Sequence, residues 1–279
     1  MTQGTALVTG ASAGLGTHFA RALAAEGHDL ILTARRADRL EVLAAEIRAA
    51  HAVRVETIAA DLAAPGAAAA LMAEIGKRGL AVNTLINNAG FGLAGAFVEQ
   101  DPGQIGRMIE LNCGALVDLC RAVLPGMVQM RSGGILNVAS TAAFQPGPFM
   151  AVYYASKAFV LSFSEALHEE VRGQGVRVAA LCPGPTQTEF FDAAAMGDDI
   201  LLTPLRGAAG KGRRRRAEGA ARQPCGRGLR AAQCDHGGVG PLHPAPGDPA
   251  RRRLDPARAA SLTLRAAQAP PISAAGRDT

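Results

Sequence analysis

The chain has 279 residues, of which 48% are hydrophobic and 19% are charged. This length and composition fit one large domain with a buried core, and they exclude collagen-like and disulfide-stapled proteins. No apolar run approaches the roughly 20 residues of a membrane-spanning helix, and a strand-like stretch begins by Thr5 without a secretory leader. We therefore expect a cytoplasmic protein with no membrane partner. Its five scattered cysteines are interpreted as reduced thiols.

The net charge of +5 is distributed unevenly along the chain. Residues 1–205 hold 14 basic and 19 acidic side chains, a net charge of −5, whereas residues 206–279 hold 15 and 5, a net charge of +10. The second segment contains 11 glycines and no aromatic residue, so it lacks the side chains from which a core is built. We therefore expect a folded domain over residues 1–205 and a low-complexity basic tail over residues 206–279.

Within residues 1–205, short apolar runs alternate with segments of helical period. This alternation is typical of strand–helix units with right-handed crossovers. It predicts an α/β fold with a Rossmann-like, doubly wound parallel sheet in the strand order 3-2-1-4-5-6. The predicted strands cover residues 6–8, 30–32, 53–58, 84–86, 134–139 and 176–182, and the predicted helices cover residues 15–26, 36–50, 67–77, 101–130 and 151–173.

A glycine-rich turn, Thr-Gly-Ala-Ser-Ala-Gly-Leu-Gly, lies between the first strand and the first helix at residues 9–16. Open α/β sheets bind a pyrophosphate at this place, against backbone N–H groups and the positive helix end. A tight turn without a ligand is the alternative. A P-loop is excluded, because no Lys-Ser/Thr pair follows the last glycine. The candidate cofactor-binding residues are Gly10, Ser12, Gly14, Leu15 and Gly16.

The second predicted strand is followed by two arginines, Arg35 and Arg36, and not by an acid. A carboxylate there would bind the ribose 2′-hydroxyl of NAD(H), whereas guanidinium groups suit a 2′-phosphate. The alternative is that both arginines are solvated at the start of a helix, where cations oppose the helix dipole. The pair favours NADP(H) as the cofactor.

Two further segments follow strands at the same predicted edge. Asp61 and Leu62 come after the third strand, where the carboxylate either caps the next helix or contacts an adenine. Asn88, Ala89 and Gly90 come after the fourth strand. Small residues there let a flat cofactor approach the backbone, but an ordinary asparagine-rich turn is an equal alternative.

Ser140, Tyr153 and Lys157 form the strongest candidate catalytic set. A tyrosine hydroxyl titrates near 10, so acid–base work at neutral pH calls for a nearby cation. Lys157 lies four residues after Tyr153, on the same helix face, whereas the competing Tyr154 lies only three residues before it. Ser140 ends the fifth strand, where its hydroxyl can hold a carbonyl oxygen.

In their order and spacing these motifs resemble the short-chain dehydrogenase/reductase superfamily in its Tyr-x-x-x-Lys form, over about residues 5–195. The resemblance implies that Tyr153 protonates the carbonyl oxygen and that Ser140 orients the carbonyl. It implies that Lys157 lowers the pKa of Tyr153 and binds the nicotinamide ribose. Asn112 matches the residue that positions a proton-relay water; a buried asparagine bonded to backbone is a compatible interpretation.

The resemblance also extends to Pro183 and Gly184, in a segment that closes over the nicotinamide, with Thr188 expected to contact the carboxamide. It implies a homodimer or homotetramer. The loops after strands four, five and six carry apolar side chains without clustered charge, which favours an apolar ketone, aldehyde or alcohol. These side chains are Phe91, Leu93, Phe144, Phe149, Met150, Phe190 and Phe191.

The expected function is therefore an NADP(H)-dependent oxidoreductase that interconverts a carbonyl and an alcohol. The alternative is a dinucleotide-binding protein with impaired catalysis, because the family's lid and last strand are replaced by the basic tail. A frameshift near residues 202–206 is our hypothesis for that tail. Its clustered arginines are a weaker argument for nucleic-acid binding, since no aromatic side chain is present for stacking. The tail's cysteine and histidine spacings fit no usual zinc site, so we expect no metal.

Overall fold

The computed structural model describes residues 3–184. The predictions for Thr188 and for residues 206–279 lie outside these described residues, and so do Phe190 and Phe191. The boundary at residue 205 therefore stays a prediction.

The described residues form a six-stranded sheet in the order β3-β2-β1-β4-β5-β6, and the strands pair in parallel. This confirms the predicted fold class and strand order. After β3 the chain returns to the centre of the sheet and places β4 beside β1, which creates the crevice where such sheets bind ligands. The strands are β1 (Thr5–Thr9), β2 (Asp29–Ala34), β3 (Val55–Ala59), β4 (Thr84–Asn87), β5 (Gly133–Val138) and β6 (Val176–Leu181).

Helices cover both faces of this sheet. Alternate residues of a strand point to opposite faces, so Leu7 of β1 belongs to a core with α3, α5 and α6, whereas Ala6 and Val8 belong to a core with α1 and α2. Both faces of the sheet are therefore apolar and buried, as expected for parallel strands. The helices are α1 (Gly14–Ala25), α2 (Ala37–Ala50), α3 (Ala67–Lys77), α4 (Pro102–Ile109), α5 (Ala115–Gln129) and α6 (Ala151–Val171).

The predicted helix over residues 101–130 is interrupted. A π-helical turn, Glu110–Gly114, separates α4 from α5. Such a turn holds one residue more than an α-helical turn and is often found at functional sites. Asn112 lies at its centre and is 1% exposed.

Among the described residues, one helical segment has the length and the apolar composition of a membrane-spanning helix. This segment is Pro102–Gln129, with a mean hydropathy of 1.4. The prediction concerned an uninterrupted apolar run, and this segment is not one, because it contains Arg107, Glu110, Asp118 and Arg121; it meets the criterion through its mean hydropathy. Core helices pass the same test, and Leu116, Leu119 and Val123 of this segment pack in the core beneath the sheet.

Candidate active site

The glycine-rich turn has the backbone conformation that glycine allows. Gly10 and Gly14 have φ values of 65° and 56°, in the left-handed region that other residues rarely adopt. At Gly16, a Cβ atom would lie 2.2 Å from the carbonyl oxygen of Gly10. The first turn of α1 can therefore pack closely against the turn only because residue 16 has no side chain.

Thr9 and Asn88 connect this turn to the end of β4. The Thr9 Oγ1 atom accepts hydrogen bonds from the backbone N–H groups of Asn88 and Ala89, at 3.0 and 2.9 Å. The Asn88 Nδ2 atom donates to the carbonyl oxygens of Thr9 and Gly10, at 2.9 and 3.2 Å. The Asn88 side chain thus holds the turn in place. Thr9 was not among the predicted site residues, because its position before the first glycine carries no separate sequence signal.

Arg36 reaches the same turn from the other side. It is the N-cap residue of α2, and its Nη2 and Nε atoms lie 3.2 and 3.4 Å from Ser12 Oγ. Arg35 is exposed beside it. Two of the predicted residues, Ser12 after β1 and Arg36 after β2, are therefore brought together at one edge of the sheet.

Asp61 does not cap the following helix, because α3 begins later and has Gly66 at its N-cap. Its Oδ1 atom accepts from the N–H of Ala63 at 3.1 Å, and its Oδ2 atom lies 2.7 Å from Arg107 Nη2. Arg107 holds the pKa of the Asp61 carboxyl below its usual value, and Arg35 contributes. The carboxylate is thus ionised at the edge where an adenosine would lie. The neighbouring Leu62 is 5% exposed, so its side chain belongs to the core.

Ser140, Tyr153 and Lys157 meet at the carboxyl end of β5. The Ser140 hydroxyl accepts from the N–H of Ala142 at 3.1 Å and is also hydrogen-bonded to the Tyr153 phenol. Lys157 Nζ donates to the Val138 carbonyl oxygen at 2.8 Å and lies 5.9 Å from the centroid of the Tyr153 ring. These contacts bring the three predicted catalytic side chains into one cluster, in which Tyr153 and Lys157 are buried and Ser140 is half-buried.

Tyr154 occupies a different environment. Its ring packs edge-to-face against Tyr153, with centroids 6.0 Å apart. It also lies against Gly147, where a Cβ atom would be 2.3 Å from the ring. Tyr153, and not Tyr154, is the tyrosine bonded to Ser140.

Burial is the largest influence on the pKa values of Tyr153 and Lys157. It raises the pKa of Tyr153; the Ser140 hydrogen bond opposes the shift, and the nearby Tyr154 adds to it. Burial also lowers the pKa of Lys157 to about 8. The direction for Tyr153 is opposite to the expectation that Lys157 lowers it, because loss of solvent disfavours a phenolate and the ammonium group is directed to a backbone carbonyl.

Asn112 is anchored by its side chain. Its Oδ1 atom accepts from the N–H of Phe91 at 3.1 Å, and its Nδ2 atom donates to the Phe91 carbonyl and to Ser156 Oγ, each at 3.0 Å. This is the buried asparagine bonded to backbone that the sequence suggests. Gly90 lies between Asn112 and the cluster, because a Cβ atom there would be 3.0 Å from Asn112 Oδ1 and 3.5 Å from Lys157 Nζ.

The loops beside this cluster are apolar and partly ordered by backbone contacts. Phe144 and Phe149 are 68% and 60% exposed. Phe149 has a φ of 64°, and its carbonyl oxygen accepts from the N–H of Gly95 at 2.9 Å. The Pro183 carbonyl oxygen accepts from the N–H of Thr141 at 3.0 Å, and Gly184 is the last described residue. The described loops after β4, β5 and β6 therefore meet around one end of the site.

Comparison with known proteins identifies the family. The short chain dehydrogenase family model matches residues 4–198. Sulfoacetaldehyde reductase 2 of Chromohalobacter salexigens is 39% identical over 201 residues, which cover 71% of this chain and 79% of that protein. The chain belongs to the short chain dehydrogenase family, whose members are oxidoreductases acting on CH–OH groups.

Two solved structures are similar at the level of both sequence and fold. A short-chain dehydrogenase from Sphingobium yanoikuyae, in complex with NADPH, is 41% identical with a TM-score of 0.66, and the match covers 70% of this chain and 75% of that one. The bulky-bulky ketone specific alcohol dehydrogenase from Comamonas testosteroni is 37% identical with a TM-score of 0.64, over 67% of this chain and 74% of that one.

Proposed function

We propose that the chain is an NADP(H)-dependent reductase of apolar ketones or aldehydes, or a dehydrogenase of the corresponding alcohols. The observation that carries this proposal is the cluster in which Ser140 is hydrogen-bonded to the buried Tyr153 and the buried Lys157 lies against the phenol ring. A hydroxyl, a phenol and an ammonium group are the groups needed to orient a carbonyl oxygen, protonate it and stabilise the resulting phenolate.

The residues present suit NADP(H). The close approach at Gly16 leaves the N–H groups at the start of α1 near the turn, and such groups bind pyrophosphates. Arg36, beside Ser12, suits a 2′-phosphate, and Asp61 suits the adenine. Lys157 would hold the nicotinamide ribose. A bound NADPH would supply the hydride that reduces the carbonyl carbon, and NADP⁺ would accept it in the reverse direction.

Side chains of the protein donate and return the proton that the carbonyl oxygen takes up. The Tyr153 phenol is protonated at neutral pH, since burial raises its pKa, and it can therefore donate its proton to a carbonyl oxygen held by Ser140. The Lys157 ammonium group is charged below pH 8 or so and stabilises the phenolate that forms. Asn112, on the π-helical turn, is proposed to position a water that returns the proton.

The loops around the cluster support an apolar substrate. Residues 91–101 and 141–150 contain no lysine or arginine, whereas Phe144 and Phe149 present exposed rings. A sulfonate substrate, such as the one named for the Chromohalobacter relative, would require a cation within reach. A bulky ketone, as named for the Comamonas enzyme, fits these loops better.

The proposal includes assembly and location. We propose a homodimer or homotetramer in the cytoplasm; exposed Ile109 of α4 and Phe159 of α6 support an association surface on the long helices. Light scattering after size-exclusion chromatography tests the assembly.

The experiment follows NADPH consumption at 340 nm with the purified full chain. The substrates are aryl alkyl ketones, long-chain aldehydes and sulfoacetaldehyde, each also assayed with NADH. We expect turnover of the apolar ketones with NADPH and little with the sulfonate. Turnover of sulfoacetaldehyde alone would contradict the substrate class, and NADPH binding without turnover of any carbonyl would favour the dinucleotide-binding alternative.

A further inference from the structure

Ser156 lies in the helical turn between the two proposed catalytic residues of α6, Tyr153 and Lys157, and is 4% exposed. Its Oγ atom donates a hydrogen bond to the Tyr153 carbonyl oxygen at 2.7 Å and accepts one from Asn112 Nδ2 at 3.0 Å. The same Asn112 amide holds the backbone of Phe91 through two hydrogen bonds. Ser156 therefore joins the catalytic turn of α6 to the π-helical turn and to the loop after β4.

The same helix contains a second serine with a matching environment. Ser164 is 1% exposed, donates to the Val160 carbonyl oxygen at 2.6 Å and accepts from Asn137 Nδ2 at 2.9 Å. Both serines thus bond back to their own helix and accept from a buried asparagine. Ser164 contacts neither Tyr153 nor Lys157 through these bonds, so the two sites differ in what they hold.

We propose that Ser156 is a positioning residue that holds the turn bearing Tyr153 and Lys157 against Asn112, and so keeps the phenol within reach of Ser140. This inference rests on the proposed function of that cluster. A buried hydrogen-bond chain of this kind restricts side chains to one arrangement, and small displacements of a proton donor reduce catalysis strongly. Without the hydroxyl, Asn112 keeps its Phe91 contacts but loses its direct bond to α6.

The first experiment compares Ser156→Ala with Ser164→Ala in the full chain. Each variant loses one buried hydroxyl with equivalent bonds, so we expect similar decreases in Tm. Only Ser156→Ala should lower kcat for ketone reduction, by about ten-fold or more, while the Kd for NADPH changes less than about two-fold. Equal effects of the two variants on kcat would overturn the proposal. If Ser156→Ala does not fold, Ser156→Cys keeps the volume with a weaker donor, and wild-type kcat in that variant would overturn it.

A second measurement does not require turnover. The chain contains two tyrosines and no tryptophan, so in a Tyr154→Phe background the absorbance at 295 nm reports one phenol. Within residues 3–184, Lys157 lies near this phenol, Cys113 and Cys182 act on Lys157, and Glu165 acts on Cys182. All four are retained in the serine variants.

We expect Ser156→Ala to raise the ionisation midpoint of Tyr153 by about half a pH unit or more, because the Ser140 hydrogen bond that favours the phenolate is weakened. Ser164→Ala should leave the midpoint unchanged. An unchanged midpoint in both variants would overturn the positioning role. If the wild-type chain reduces no carbonyl, the proposed function fails, and this titration still decides the role of Ser156.

Discussion

The ionisable groups are exposed at one end of the candidate site and buried at the other. At the end proposed to bind the adenosine, Asp61 and Arg107 form an ion pair whose side chains are 38% and 39% exposed. At the proposed catalytic end, Tyr153 and Lys157 are 8% and 6% exposed, and burial shifts the pKa of each group so that its neutral form is favoured. Exposed charges interact weakly and can rearrange around an ionic ligand, whereas buried groups have their proton affinity set by the surrounding protein.

This difference has a consequence for mutagenesis. Changes at the exposed end should alter the affinity for the cofactor by about ten-fold or less and leave the chemical step intact. Changes at the buried end should alter the chemical step by large factors, because each group there is held by one or two specific contacts.

Apart from changes to Tyr153 itself, the Lys157→Met variant should show the largest loss of activity. Removing the ammonium group should lower kcat for ketone reduction by about 10²- to 10⁴-fold. In the wild-type chain the pKa of Lys157 is lowered to about 8. The charged form is present below that pH, so kcat should fall as the pH rises through it. Lys77→Met, at the end of α3, is the matched control and should keep wild-type kcat and pH dependence. A wild-type kcat that rises through pH 8 would contradict this role.

The Gly16→Ala variant should show the next largest effect, on stability and on cofactor binding. The added Cβ would lie 2.2 Å from the Gly10 carbonyl oxygen and 2.8 Å from Asn88 Nδ2, so the turn must shift. We expect a loss of about 1–3 kcal/mol in the free energy of unfolding, measured with urea, together with weaker NADPH binding.

Gly76→Ala provides the control for this change. Gly76 lies in α3 with nothing within 4 Å of its added Cβ. There the substitution should stabilise the chain by about 0.5–1 kcal/mol. Equal stability of the two variants would argue against a closely packed turn.

The Arg36→Ala variant should reduce the preference for NADPH over NADH. If its guanidinium binds a 2′-phosphate, its loss should raise the Kd for NADPH by about ten-fold, since hydrogen bonds to charged groups contribute about 1.5–3 kcal/mol. The Kd for NADH should be unchanged, and Arg39→Ala, an exposed cation of the same helix, should affect neither. Fluorescence titration with each cofactor measures the two Kd values and hence their ratio in each variant. Equal weakening of NADPH and NADH would mean that Arg36 acts through the turn and not through the phosphate.

Arg107→Ala should give the smallest effect. The exposed pair with Asp61 contributes about 0–1 kcal/mol to stability. The pKa of Asp61 is lowered in the folded chain, so this contribution is present above the unfolded pKa of about 4 and is lost as the pH falls through the folded value. Urea unfolding should show a larger difference between variant and wild type at pH 7 than at pH 3. A difference of the same size at both values would exclude this ion pair as its cause.

The sequence alone predicted the sheet order and the bounds of α3, because apolar runs and helical periods are properties of local sequence. It also predicted the cluster of Ser140, Tyr153 and Lys157. The π-helical turn was missed, since the apolar period continues through residues 101–130 and the turn depends on the tertiary contact of Asn112 with Phe91. The direction of the Tyr153 pKa shift was missed because it depends on burial.

Two supporting residues, Thr9 and Ser156, were missed for a related reason. Each is a small hydroxyl residue of a type common in turns and helices, and its role lies in partners far along the chain. Thr9 contacts residues 88 and 89, and Ser156 contacts Asn112. Sequence spacing carries no signal for such contacts.

The most direct test of the central claim compares Tyr153→Phe with Tyr154→Phe. The two tyrosines are adjacent and their rings are in contact, yet only Tyr153 is bonded to Ser140. With NADPH and an apolar ketone that the wild-type chain reduces, we predict that Tyr153→Phe lowers kcat by about 10³-fold or more and that Tyr154→Phe stays within about five-fold of wild type. Comparable kcat in the two variants, or a greater loss in Tyr154→Phe, would contradict the assignment of Tyr153 as the proton donor.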